Sequence, residues 1–128
     1  LLNYVIENKL KNVFFSGRIN NKEVCNKINE ADIFLNASLI DNMPISILEA
    51  FGSGIPVITS NVGGIKDFAV NFENCLICDP EDPLEIYGSI LKLLTDIELS
   101  MKITKNAHKY YLNFTHLKMK SKYINIYK

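Results

Sequence analysis

Residues Asp41 to Gly64 read DNMPISILEAFGSGIPVITSNVGG, and this stretch decides the fold. Asp41 and Asn42 are good capping residues, and Pro44 suits a first helical position. A helix is therefore predicted from about Pro44 to Gly52, with Gly54 and Pro56 ending it and launching a strand. At about 100° per residue, Ile47, Leu48, Ala50 and Phe51 sweep most of the circumference. Ser46, Glu49 and Ser53 share a polar stripe only about 60° wide. A surface helix keeps a wider polar face, so this one is read as mostly buried, its stripe lining a cleft. A thin solvent edge is the alternative. Glu49 is the anomaly: a carboxylate on an almost wholly apolar helix needs a partner.

Working outward, short apolar runs alternate with helical segments. Leu1 to Leu10 reads as a helix, Asn12 to Ser16 (NVFFS) as a strand, and Lys22 to Ala31 as a helix. Asp32 to Asn36 (DIFLN) and Ile55 to Thr59 (IPVIT) are strands flanking the capped helix. Gly64 to Val70 is a short helix and Cys75 to Cys78 (CLIC) a fourth strand. Leu84 to Thr95 is amphipathic, with Ile86, Ile90, Leu93 and Leu94 on its buried side. Helical segments fill the rest, broken near Asn113. Apolar rather than alternating strands indicate a parallel sheet buried on both faces. The predicted architecture is α/β: a doubly wound, Rossmann-like parallel sheet of about four strands with helices on both faces.

Ligands of such sheets bind beyond the carboxyl ends of the strands. Three loops fall there: Gly17-Arg18, Ser38 to Asn42, and Ser60 to Gly64. The helix start at Asn42-Met43-Pro44 offers free amides that suit an anion. Gly63-Gly64 reads either as a second anion site before a helix or as a plain turn. Glu49 lies past the first helical turn and suits neutral hydroxyls, and Asp41 stands at the mouth of the same cleft. Two carboxylates and helix-start amides suit a nucleotide carrying a sugar.

Composition bounds the rest. A chain of 128 residues is one domain with enough length for a core. Its longest apolar runs are far short of the ~20 residues of a membrane span. No signal peptide is recognisable, and the first residue is Leu1 rather than Met, which is read as an N-terminal truncation. Three cysteines do not suggest a disulfide framework. Cys75 and Cys78, three apart on a strand, point to opposite faces, which disfavours a shared metal or a redox pair. A reducing, cytoplasmic setting fits. Net charge is zero, yet the chain from Leu99 onward holds seven lysines and no acid. That tail is either a solvated helix face or a dock for an anionic membrane surface or acidic acceptor. His108 and His116 lie within it and are expected to face solvent. No P-loop, dinucleotide fingerprint, metal-ligand cluster or nucleic-acid motif is present.

The stretch resembles the signature of the retaining family-4 glycosyltransferases, the "glycosyl transferases group 1" family with the GT-B fold. That pattern has two Glu separated by seven residues, then G-x-P-V-[IV]-[AT]-S and V-G-G-[IV]. Here Asp41 and Glu49 have that separation, and EAFGSGIPVITSNVGGI matches nearly position for position. VFFSGRI, EADIFLNAS, ENCLICDPEDPLEI and FTHLKMKSKYINIYK fit the flanking landmarks. Asp41 departs from the pattern, one methylene shorter than the usual Glu, which puts its sugar contact and sugar preference in question.

The resemblance implies that residues 1–128 are a single partial domain, the donor-binding C-terminal half of a GT-B enzyme, without the acceptor-side domain. Glu49 would bind the donor's ribose hydroxyls and Asp41 those of the transferred sugar. The amides of Asn42, Met43, Pro44 and Ile45 would lie near the diphosphate or sugar, with Pro44 contributing only its position. Gly17 and Arg18 would border the nucleobase, and Gly63 and Gly64 would shape the pocket. The reaction would pass a sugar from a nucleoside diphosphate to a hydroxyl of a glycan or lipid-linked acceptor, with no metal or other cofactor. The cations that neutralise the diphosphate in this family lie outside the chain, so no residue here is assigned as catalytic and the isolated chain is expected to be inactive. A GT-B nucleotide-sugar epimerase, a non-catalytic nucleotide-sugar or interaction domain, and a receiver-like domain are the rival readings.

Overall fold

The computed structural model describes residues 1–114. In chain order the elements are α1 (Leu2–Glu7), α2 (Asn21–Asn29), β1 (Phe34–Asn36), α3 (Ile45–Ser53), β2 (Val57–Thr59), a 3-10 turn (Gly63–Asp67), β3 (Leu76–Ile77), α4 (Pro83–Thr95) and α5 (Ile97–Tyr111). A last 3-10 turn spans Leu112–Phe114, where the sequence predicts a break near Asn113. His116 and the lysines from 118 onward lie outside the described residues.

The sheet has three strands in the order β1-β2-β3, all parallel. Phe34 pairs with Val57 and Asn36 with Thr59; Ile58 then pairs with Leu76. All of β2 is buried, as its run of apolar residues predicts. The fourth expected strand, 12–16, does not form. Residues 13–17 carry no regular structure, and Phe14 is 86% exposed. The reason is that strand propensity measures fit to a paired, half-buried surface, and this run pairs with nothing among the described residues. Nor does α1 bury any side chain.

Two apolar clusters sit on the two faces of the sheet. One joins Ile47, Ala50 and Phe51 of α3 to Val57, Ile28 of α2, Cys75 and Ala107 of α5. Phe51 is edge-on to Phe68 and Tyr110, with ring centroids 6.2 and 6.4 Å apart. The other cluster joins Ile58, Leu76 and Cys78 to Leu93 of α4 and Ile103 of α5. In α4, Ile86 and Ile90 flank that cluster as predicted, whereas Leu94 is exposed. Leu94 falls in the last turn, where the chain is already leaving the sheet for α5.

Local signals account for the helix ends. Asn20 accepts from the amides of Lys22 and Glu23, and Glu23 accepts in return from the Asn20 amide. Asp82 caps α4, with Pro83 as its first residue. Gly54 closes α3 in the left-handed conformation (φ 74°).

The two cysteines of the C-x-x-C fall in different clusters, as their spacing predicts. Burial pushes the Cys75 thiol up to about 12, only partly offset by a backbone hydrogen bond at Val70 that lowers it. The Cys78 thiol is raised too, by burial first and then by Glu85 and Asp79. Cys25 is exposed. A maleimide or aromatic disulfide reagent at pH 8 should therefore modify Cys25 in the native protein and reach Cys75 and Cys78 only on unfolding. The same shift sets a sign for alkaline stability. Between pH 9 and 12 the unfolded chain loses the Cys75 proton while the folded chain keeps it. Stability is full below pH 9 and falls as pH rises toward 12. Denaturant midpoints across that window should fall less steeply in Cys75→Ala.

Candidate functional site

The parallel order places the carboxyl ends of β1 and β2 side by side, and the loops that follow them are tied together. Ser60, fully buried directly after β2, donates its hydroxyl to the Ser38 carbonyl after β1 at 2.6 Å. The Asn36 side chain accepts from the Ser38 amide at 3.2 Å. Further along, the Gly64 amide donates to the Asp41 carbonyl at 3.2 Å.

Gly63 and Gly64 have a specific reason for lacking side chains. A Cβ on Gly63 would fall on the Asp41 carbonyl oxygen, and one on Gly64 on the Asn42 carbonyl oxygen. Gly63 also has φ of 49°, a left-handed conformation costly for other residues. These glycines allow two loops to approach each other. Neither the plain turn nor the anion cradle considered from sequence anticipates this packing.

The apposed loop delivers the chain to α3. Pro44 stands just outside the helix as its N-cap rather than at the first helical position, and no side chain caps the helix start. The first-turn amides thus lack a side-chain acceptor, which leaves a partial positive charge at the ligand edge of the sheet. Asn42, Met43 and Ile45 around it are exposed, and Pro44 is half-buried.

Asp41 is half-buried, and its side chain does not cap α3. Glu49 sits one turn into the helix between buried Ile47 and Ala50 and is itself half-buried, as are Ser46 and Ser53. The side of α3 that is not buried is wider than the predicted stripe: Ile47, Ala50 and Phe51 are enclosed, whereas Leu48 and Gly52 are half-buried and Ile45 is exposed. Among the described residues, no hydrogen bond or ion pair reaches the Glu49 carboxylate. Its partner is not supplied from within this part of the fold.

Gly17 and Arg18 are exposed, and Arg18 lines a cleft of about 540 Å3 with Ile19, Asn20 and Glu23 beside the start of α2. Neither Glu49 nor Asp41 lines that cleft. The predicted residues that the structure joins directly are Asp41 and Asn42 with Gly63 and Gly64. His108 is exposed, as expected. No cluster of three or more His, Cys, Asp or Glu side chains suited to a metal occurs among the described residues. Sequence reading placed Ser60 in a strand-end loop without giving it a role and passed over Thr59, and both are fully buried. The available signal was two hydroxyls closing an otherwise apolar strand.

A parallel sheet with helices on both faces, and strand-end loops meeting beside an uncapped helix start, is a Rossmann-like α/β arrangement. The chain belongs to the glycosyl transferases group 1 family, whose model matches residues 3–110. Sucrose-phosphate synthase of Spinacia oleracea is 31% identical over 77 residues, which are 60% of this chain and 7% of that enzyme. Among solved structures, sucrose-phosphate synthase from Thermosynechococcus elongatus superposes with a TM-score of 0.83 at 23% identity, covering 98% of this chain and 33% of that one. Anabaena HepE, solved with UDP and glucose, gives 0.84 at 17% identity, covering 99% of this chain and 35% of that one. The fold is accordingly that of GT-B glycosyltransferases. The chain spans about a third of the length of these solved relatives.

Proposed function

We propose that residues 1–128 are a partial donor-binding domain, the C-terminal half of a retaining GT-B glycosyltransferase. The parent moves a sugar from a nucleoside diphosphate to a hydroxyl of a glycan or lipid-linked acceptor in glycan biosynthesis, on the cytoplasmic side and without a metal. The observation that carries this reading is Glu49, a half-buried carboxylate with no partner among the described residues, beside an uncapped helix start. A ribose supplies the hydroxyl donors this acceptor lacks, and a diphosphate suits the helix-start amides.

In this assignment Glu49 takes the ribose and Asp41 the transferred sugar. The loop 42–45 faces the diphosphate, and Gly17-Arg18 borders the base. Gly63-Gly64 shapes the pocket from behind by holding Asp41 and Asn42. Departure of the diphosphate needs its charge stabilised. The helix start contributes to that, and the cations come from outside the chain, so the isolated chain is expected to turn over no nucleotide sugar. Titration of the full-length protein with UDP, GDP and ADP by calorimetry tests binding. Glu49→Gln should weaken the preferred nucleotide by about 1–3 kcal/mol, because a hydroxyl pair is left mismatched. An unchanged affinity would return Glu49 to the solvent-edge reading. The HepE complexes with UDP and UDP-glucose favour a uridine donor as the first nucleotide to try. The lysine-rich tail is proposed as a peripheral contact with an anionic membrane, tested by co-sedimentation with acidic and neutral vesicles.

A further inference from the structure

Thr59 closes β2 and is completely buried, yet its hydroxyl has no hydrogen-bond partner among the described residues. Its neighbour Ser60 is equally buried and is paired, to the Ser38 carbonyl. Thr59 is therefore the exception in its own surroundings. Buried hydroxyls are nearly always satisfied, and an orphan carries its full desolvation penalty. Stability alone would favour valine, which has the same shape and occupies position 57 on the same strand.

The position of the orphan is informative. Strand alternation puts Thr59 on the face of Val57, which packs in one cluster with Ile47, Ala50 and Phe51 of α3. Because α3 joins two parallel strands, it runs back along the sheet, so its first turn overlies their carboxyl ends. Thr59 thus sits at the floor of the region where α3 starts without a side-chain cap. Above it lies the 38–44 loop, pinned at Ser38 by Ser60 and at Asp41 by Gly64. The segment between those pins is held at both ends, and residues 42–44 beyond it lead into the uncapped helix.

We propose that Thr59 is a positioning residue of the nucleotide site, its hydroxyl unpaired in the unliganded protein and taken up by the 38–44 segment when a nucleoside diphosphate settles on the start of α3. The hydrogen bond gained on closure adds to nucleotide affinity, and the desolvation cost is carried by the unliganded state. This rests on the reading of the site as a nucleotide site.

The test uses the full-length protein with Thr59→Val and Thr59→Ser, measuring thermal unfolding without ligand and the affinity for UDP. Thr59→Val should unfold no lower than wild type without UDP, yet bind UDP about 3- to 10-fold more weakly. Thr59→Ser should restore most of that loss. Wild-type affinity in Thr59→Val overturns the proposal, as does a Thr59→Val protein that melts well below wild type without ligand, since its hydroxyl was then already paired. If wild type binds none of UDP, GDP or ADP at millimolar levels, the nucleotide reading fails and takes this proposal with it.

Discussion

Truncating Phe51 to alanine should remove about 3–5 kcal/mol of stability. The ring is fully buried at the meeting of α3, Phe68 and Tyr110, in edge-on contact with both. Its loss combines the transfer free energy of a large aromatic with a cavity the sheet cannot close. Domains of this size are stable by only about 5–15 kcal/mol, so a large share of the total goes. Urea unfolding followed by far-ultraviolet dichroism measures it, the midpoint falling with little change in slope. A loss below about 1 kcal/mol would mean that α3 is not held to the sheet as described. Phe51→Leu, which refills most of the space, should recover more than half of the deficit.

Gly63→Ala should be the most damaging small substitution at the ligand edge. It forces a side chain into a left-handed backbone, costing about 1–2 kcal/mol. It also drives a methyl into the Asp41 carbonyl, which is main chain and cannot swing aside. Overpacking of that kind costs about 1–3 kcal/mol more unless the loop moves. Either result separates Asp41 and Asn42 from their place above the sheet. Gly64→Ala meets the Asn42 carbonyl and should act the same way without the backbone strain. Both variants should lose nucleotide affinity along with stability, whereas Glu49→Gln should lose affinity alone. Gly88 is the control: it lies in a helix with open space around it, so Gly88→Ala should be neutral or stabilising by up to about 1 kcal/mol.

Much of this molecule is legible in its sequence. Ile47, Ala50 and Phe51 on one side of a helix, with Glu49 on the other, required a sheet to cover the first three. The run IPVIT, apolar up to its closing Thr59, required burial on both faces, and β2 is buried along its whole length. Gly54 and Pro56 required the helix to stop where it does. Each of these is a local demand with a single cheap solution. NVFFS made a local demand of the same strength and was not met, because a strand exists only by pairing. Leu94 kept helical spacing but lost its neighbour, because a helix can outrun the sheet beneath it.

The sequence by itself determined the helices, three of the four expected strands, their order, the parallel layer and the family, because periodicity and spacing are written residue by residue. It also marked Glu49 as a charge without a local partner. Only the tertiary structure decided why Gly63 and Gly64 must be glycines, since the atoms they would strike belong to Asp41 and Asn42, more than twenty residues earlier. It alone paired Ser60 with Ser38 and left Thr59 unpaired at their side. Such facts depend on distances between loops that meet only after the strands have aligned, and no spacing along the chain encodes them.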